Sequence, residues 1–202
     1  MNQGFIYLAS ASPRRRELLG QIGVTFRVLP AHLPEVREAG ESVQSFVRRM
    51  ALAKAHAVAA RTVDDPAPVL GADTVVVIDN EMLCKPASRE AGLAMLARLS
   101  GREHEVLSAV ALVAAGKSKV VLDVSRVRFR TIDAEERAAY WETGEPADKA
   151  GAYAVQGVGA VFIERLEGSF SGVMGLPLFM TAALLNEFGY PVPGLAGTAA
   201  HA

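Results

Sequence analysis

Apolar positions along the chain fall into two patterns: short unbroken runs, and stretches where they recur every three or four residues. Phe5 to Ala9 is a short run and predicts a buried strand. Ser12-Pro13 then predicts a helix start, because serine caps the free amides and proline suits the first turn. Leu18, Leu19 and Ile22 give that helix an apolar face. Val24 to Leu29 predicts a second strand, and the proline- and charge-bearing stretch 30–41 a loop. A long helix is expected from Glu41-Ser42 to about residue 62, with Val43, Phe46, Val47, Met50, Ala51 and Ala53 at helical spacing. Asp64-Asp65-Pro66 breaks it.

Val69 to Ile78 is strongly β-branched and predicts a central strand, although Asp73-Thr74 lies in its middle. Asp79-Asn80 makes a turn, and Lys85-Pro86 ends the next short segment. An amphipathic helix is expected over 88–99. His104 to Val113 and Lys119 to Arg130 predict paired strands around Ala115-Gly116-Lys117. Ala134 to Thr143 predicts a helix, residues 144–175 a glycine-rich region with a strand from Ala160 to Arg165, and Leu176 to Phe188 a last helix. This alternation predicts an α/β domain over residues 1–189: a mixed twisted sheet with flanking helices, in two lobes around a central cleft. The small, breaker-rich residues 190–202 predict a disordered tail.

Composition narrows the setting. The net charge of −1 over 202 residues excludes a global basic field for nucleic acid or membrane, so any positive potential is local. The single cysteine, Cys84, excludes an intrachain disulfide framework and suits a reducing compartment. The start MNQGFIYLAS lacks the basic region and long apolar stretch of a signal peptide, and no window is long and apolar enough for a membrane span. The expectation is a cytoplasmic protein with no membrane and no stable nucleic-acid partner.

Against that neutral background, "LASASPRRREL" concentrates Ser10, Ser12, Arg14, Arg15 and Arg16 where a strand turns into a helix. Amides at a helix start, hydroxyls and guanidiniums together suit phosphate. Three cations at the positive end of a helix oppose its dipole, which a purely structural turn would avoid. A solvated basic turn is the competing reading. Asp73 sits inside the apolar "VLGADTVVVID" and needs either a cation or metal partner or a place at a cleft. Glu35 in its polar loop, Lys54 among helix alanines and Lys85 after a short strand are weaker signals: each type in such a place usually faces water. Six glycines between 148 and 177 allow close backbone approach to a ligand, with Asp148, Lys149 and Gln156 supplying polar groups; a tightly packed loop explains the glycines equally well. The four histidines show no metal-ligand spacing, and no GxSxG is present.

Five blocks, "LASASPRRREL", "GADTVV", "KP", "DKAGAYAVQG" and "GSFSGVMGLPL", resemble in order and spacing the Maf family over essentially residues 5–189. The resemblance implies a nucleoside triphosphate pyrophosphatase, with a two-lobed fold akin to inosine triphosphate pyrophosphatases. The implied reaction cleaves between the α and β phosphates with a divalent metal, Mg²⁺ or alternatively Mn²⁺. By resemblance Asp73 is the catalytic acidic residue, assigned as proton acceptor, and Glu35 the acidic loop residue that assists metal or water. These two are the implied metal ligands, and Lys85 joins them in the catalytic set. Ser10, Ser12, Arg14, Arg15, Lys54 and Lys85 match phosphate-binding positions, and Thr74, Lys149 and Gln156 are expected on the substrate. Pro34 stands where the family often has a first acid. A homodimer is also implied.

Arg14, Thr74 and Gln156 match the family branch acting on dTTP and UTP rather than the branch acting on 7-methyl-GTP. A glutamine amide both donates and accepts, which suits the O4/N3 edge of thymine or uracil. Two other readings stand beside this one: a non-catalytic nucleotide-binding regulator of cell division, and a pyrophosphatase for damaged purine triphosphates.

Overall fold

Two parallel pairings begin the sheet: β1 (Ile6–Leu8) lies between β2 (Phe26–Val28) and the start of β3 (Val69–Ile78), with Leu8 opposite both Val28 and Leu70. The computed structural model describes residues 4–193. Its seven-stranded sheet has the order β2-β1-β3-β5-β6-β7, where β5 is Glu103–Ala114, β6 Lys117–Phe129 and β7 Ile163–Glu167; β4 (Glu81–Leu83) pairs with β3. The β3–β4 and β6–β7 pairs are antiparallel, so the sheet is mixed. Asp79 and Asn80 both adopt positive φ between β3 and β4, as Ala115 and Gly116 do between β5 and β6. These are two-residue turns whose twist matches the strands they join. No helix among the described residues is long and apolar enough to cross a membrane.

The chain divides into two compact units. One holds residues 4–73, Ala109–Leu122 and 175–193, with helices α1 (Pro13–Gln21), α2 (Val43–Ala59) and α6 (Leu178–Glu187). The other holds Thr74–Ser108 and Asp123–Met174, with α3 (Arg89–Leu99), α4 (Ala134–Glu142) and the short α5 (Phe170–Met174).

In the first unit, α2 buries Phe46, Val47, Met50, Ala51, Lys54, Ala55 and Val58, one stripe at helical spacing. Gly71 of β3 makes the close approach possible. A Cβ there would lie 2.2 Å from the Ala51 carbonyl oxygen and 2.8 Å from the Ala55 nitrogen, so strand and helix meet backbone to backbone. Asp73, two residues along, points to the same side of the strand as Gly71.

In the second unit, Val76, Ile78, Leu96, Leu99, Val127, Phe129, Tyr140, Tyr153 and Phe162 belong to one buried cluster. Its aromatic rings meet edge-on, Phe129 to Tyr153 at 4.8 Å and Tyr140 to Phe162 at 5.1 Å between centroids. The capping box of Asp133 and Glu136 fixes the start of α4.

Three departures from the sequence reading have local causes. The long helix ends at Ala59 rather than near 62, where the Thr62 hydroxyl donates to the carbonyls of Val58 and Ala59. The strand expected over 160–165 begins only at Ile163, because Val158–Phe162 coil as a 3-10 turn whose first amides are taken by the Glu145 carboxylate. The short α5 was not expected. Of the tail, residues 190–193 are described: the Tyr190 amide donates to the Leu185 carbonyl and Val192 is buried. Residues 194–202 lie outside the described residues.

Candidate active site

The basic junction is built around two serines. Ser12 caps α1 with Pro13 in the first turn, its hydroxyl oxygen accepting from the Arg15 amide at 3.5 Å. Ser10, buried at the end of β1, accepts from the Ser12 amide at 3.2 Å and from Nη1 of Arg15 at 3.1 Å. Each hydroxyl keeps its own hydrogen to donate. Nε of Arg15 donates to the Gly175 carbonyl at 2.9 Å, so two bonds fix the plane of this guanidinium. Burial lowers the Arg15 pKa and Arg14 pushes it the same way, while the negative charges of Asp73 and Glu35 oppose the shift. Arg14 and Arg15 are half-buried, whereas Arg16 is exposed.

Lys54 is the centre of this unit's charge. The sequence suggested a solvated lysine; it is 7% exposed, on the apolar stripe of α2. Its ammonium lies 2.7 Å from Oδ1 of Asp73 and 2.6 Å from Oε1 of Glu35. Asp73 is 5% exposed, so its carboxylate satisfies the first condition posed by the sequence, a cation partner. Glu35 reaches the same ammonium from the loop after β2. One cation therefore gathers two carboxylates that lie far apart in sequence. No group of three or more His, Cys, Asp or Glu side chains able to hold a metal forms among the described residues.

The remaining candidates belong to the second unit. Thr74, half-buried, shares a 2.9 Å hydrogen bond with Ser108, whose hydroxyl donates to the Gly172 carbonyl at 2.6 Å. Ser108 has one hydrogen to give, so Thr74 is the donor between the two hydroxyls. Lys85 is exposed after β4 and makes no ion pair among the described residues. Lys149 donates to the Glu145 carbonyl at 2.8 Å and to Asp148 at 2.5 Å, leaving one of its three donors. Gln156 stands exposed on a turn.

The sequence reading missed several groups around these positions. Glu145 accepts from the Tyr140 hydroxyl at 2.6 Å and from the amides of Val158 and Gly159. Burial alone would raise its pKa, but these donors hold it below the usual carboxylate range. His104 is 3% exposed, its Nε2 lying 2.8 Å from the Tyr153 hydroxyl, and burial pushes its pKa down to about 4. Asp123 is buried with the Ser125 hydroxyl as donor, and burial raises its pKa. Nothing in the local sequence marks Glu145. An asparagine, glutamine or acid that caps a turn thirteen residues away leaves no periodic signal.

Comparison with known proteins bears on more than nine-tenths of the chain. A dTTP/UTP pyrophosphatase of Alkalilimnicola ehrlichii is 56% identical over 187 residues, covering 91% of this chain and 92% of that protein. A dTTP/UTP pyrophosphatase of Saccharophagus degradans is 51% identical over 193 residues, covering 95% and 92%. A solved nucleoside-triphosphatase / dITP/XTP pyrophosphatase from Mycobacterium abscessus is 21% identical over 64% of this chain and 76% of its own. Its TM-score of 0.41 is too low to bear on fold or function. The profile of Maf-like proteins matches residues 5–188, which takes in the serine-arginine junction, Glu35, Lys54, Asp73 and the glycine-rich segment: the chain belongs to the Maf family.

Proposed function

We propose that this protein hydrolyses dTTP and UTP to the monophosphate and pyrophosphate. The observation that carries the reaction is the Lys54 ammonium joining buried Asp73 to Glu35 in the unit that also holds the Ser10–Arg15 junction. The substrates follow the names of relatives more than half identical over more than nine-tenths of the chain.

A triphosphate carries about four negative charges near neutral pH. Arg14, Arg15, Lys54 and Lys85 are the cations assigned to it, with the hydroxyls of Ser10 and Ser12 as donors. Arg15 is held by Ser10 and Gly175 before any ligand arrives, so little side-chain freedom is lost on binding. Asp73 and Glu35 fit a divalent cation, because Mg²⁺ takes one or two carboxylates and completes its shell with water and phosphate oxygens. Such an ion would supply Lewis acidity and offset phosphate charge; Mg²⁺ is the metal proposed, with Mn²⁺ able to replace it. Asp73 accepts the proton of the attacking water or would hold the ion, and the Lys54 ammonium at 2.7 Å holds its carboxylate in place. Thr74, Lys149 and Gln156 are assigned to the nucleoside and the phosphates next to it. The lone cysteine suits a cytoplasmic setting.

Product analysis on a nucleotide panel tests the reading. The expected result is pyrophosphate release, fastest on dTTP and UTP and much slower on CTP and ATP. Best activity on 7-methyl-GTP or a damaged purine triphosphate, or nucleotide binding without turnover, would replace it with one of the alternatives.

A further inference from the structure

The turn that carries Gln156 is tied down on both sides. Before it, the buried Tyr153 hydroxyl meets His104, and the Ala154 amide donates to the Tyr140 hydroxyl at 3.1 Å. After it, the amides of Val158 and Gly159 donate to Oε2 and Oε1 of Glu145 at 2.9 and 3.0 Å. Tyr140 in turn donates to Oε1 of Glu145 at 2.6 Å. The Tyr140–Glu145 pair therefore closes a ring across the base of the turn, from Ala154 to Gly159. Gly157 completes the fit: a Cβ there would lie 2.0 Å from Oε2 of Glu145. The same residue's backbone carbonyl also receives the Lys149 ammonium. So many acceptors on one residue, spent on a loop rather than on a helix or sheet, give an exposed amide a fixed position.

We infer that Glu145 is a positioning residue for base recognition, its carboxylate clamping the turn that presents Gln156 to the pyrimidine. The inference rests on the proposed role of Gln156. An amide that tells O4 from an amino group must be held against the base edge, since a mobile amide can rotate and pair with either. Glu145 touches no substrate in this account; it acts through the backbone of residues 157–159.

UTP and CTP differ in the 4-substituent and N3 of the base, so the ratio of their kcat/KM values isolates recognition from chemistry. Glu145→Gln is nearly isosteric but turns an amide N–H₂ towards a backbone N–H. It is expected to lower the UTP-over-CTP ratio about tenfold, chiefly through the KM for UTP, with kcat/KM for CTP within about twofold of the parent. Gly157→Ala presses on the clamp from the other side, keeps the carboxylate, and is expected to give the same selective loss. Equal losses on UTP and CTP in both variants would mean a merely structural role and would overturn the inference. Gln156→Ala separates the two ideas. If it leaves the ratio unchanged, the role of Gln156 fails and the inference with it. If it lowers the ratio while Glu145→Gln and Gly157→Ala do not, the clamp alone is refuted.

Discussion

Replacing Lys54 by methionine removes the ammonium that lies against both Asp73 and Glu35 and leaves a side chain of similar length on the buried stripe of α2. Two contacts are lost, and they differ in weight. Asp73 is 5% exposed, so its carboxylate is stranded away from water; breaking a buried pair by removing one partner costs about 3–5 kcal/mol. The Glu35 side chain is 56% exposed, and solvent limits its contact to at most about 1 kcal/mol. Lys54→Met should therefore lose about 4 kcal/mol, nearly all of it through Asp73. Asp73→Asn should lose a comparable amount by stranding the ammonium, which the exposed Glu35 only partly compensates. In the double variant neither charge remains, so its loss should fall short of the sum of the two by about 2 kcal/mol or more. Urea denaturation of the parent, both single variants and the double variant measures this coupling. All three variants should lack turnover, so any stability recovered in the double variant comes from the pair and not from activity. Strictly additive losses would refute the argument, because they would mean that Lys54 and Asp73 do not depend on each other.

Three further outcomes follow from particular contacts. Arg14→Ala and Arg15→Ala should each lower kcat/KM by at least about tenfold, the low end for a charge-assisted contact, while exposed Arg16→Ala stays within about twofold; equal losses at all three positions in steady-state kinetics would indicate a diffuse basic patch. His104 is pushed down to about 4 by burial from an ordinary 6.5, so the unfolded chain takes up its proton first as pH falls. Its contribution is complete above about pH 6.5 and declines towards pH 4, by up to about 3 kcal/mol, and urea titrations should lose that slope in His104→Gln. Gly71→Ala drives a methyl group into the Ala51 carbonyl and should cost about 3 kcal/mol or more by thermal melting, with turnover falling as α2 and Lys54 are pushed off β3; a parent-like melting temperature would contradict the close packing.

Much of this arrangement was legible in the sequence, for identifiable reasons. A carboxylate inside the β-branched run 69–78 had to have a partner or an opening, and the partner proved to be Lys54. The serine-proline start of α1 signalled its cap, and the family resemblance, which matched Arg14 and Arg15 but not Arg16, set Arg16 apart from its neighbours. Lys54 itself was misjudged from its alanine-rich surroundings, although its spacing of four from both Met50 and Val58 puts it on the apolar stripe. A helical projection would have found it. Gly71 gave no warning of its role, since a glycine in a strand marks close approach without naming what approaches. The region from 144 to 163 was the least readable. Its turns are held by Glu145, Tyr140 and His104 through contacts with Val158, Ala154 and Tyr153, thirteen or more residues away in sequence, which leave no period to detect. The strand start shifted there by three residues for that reason.

The most direct test of the central claim is ³¹P NMR of the products formed from dTTP by the purified protein with Mg²⁺. The account predicts dTMP and pyrophosphate in equal amounts, with neither signal growing in Asp73→Asn. Formation of dTDP and orthophosphate, or undiminished turnover in Asp73→Asn, would contradict it.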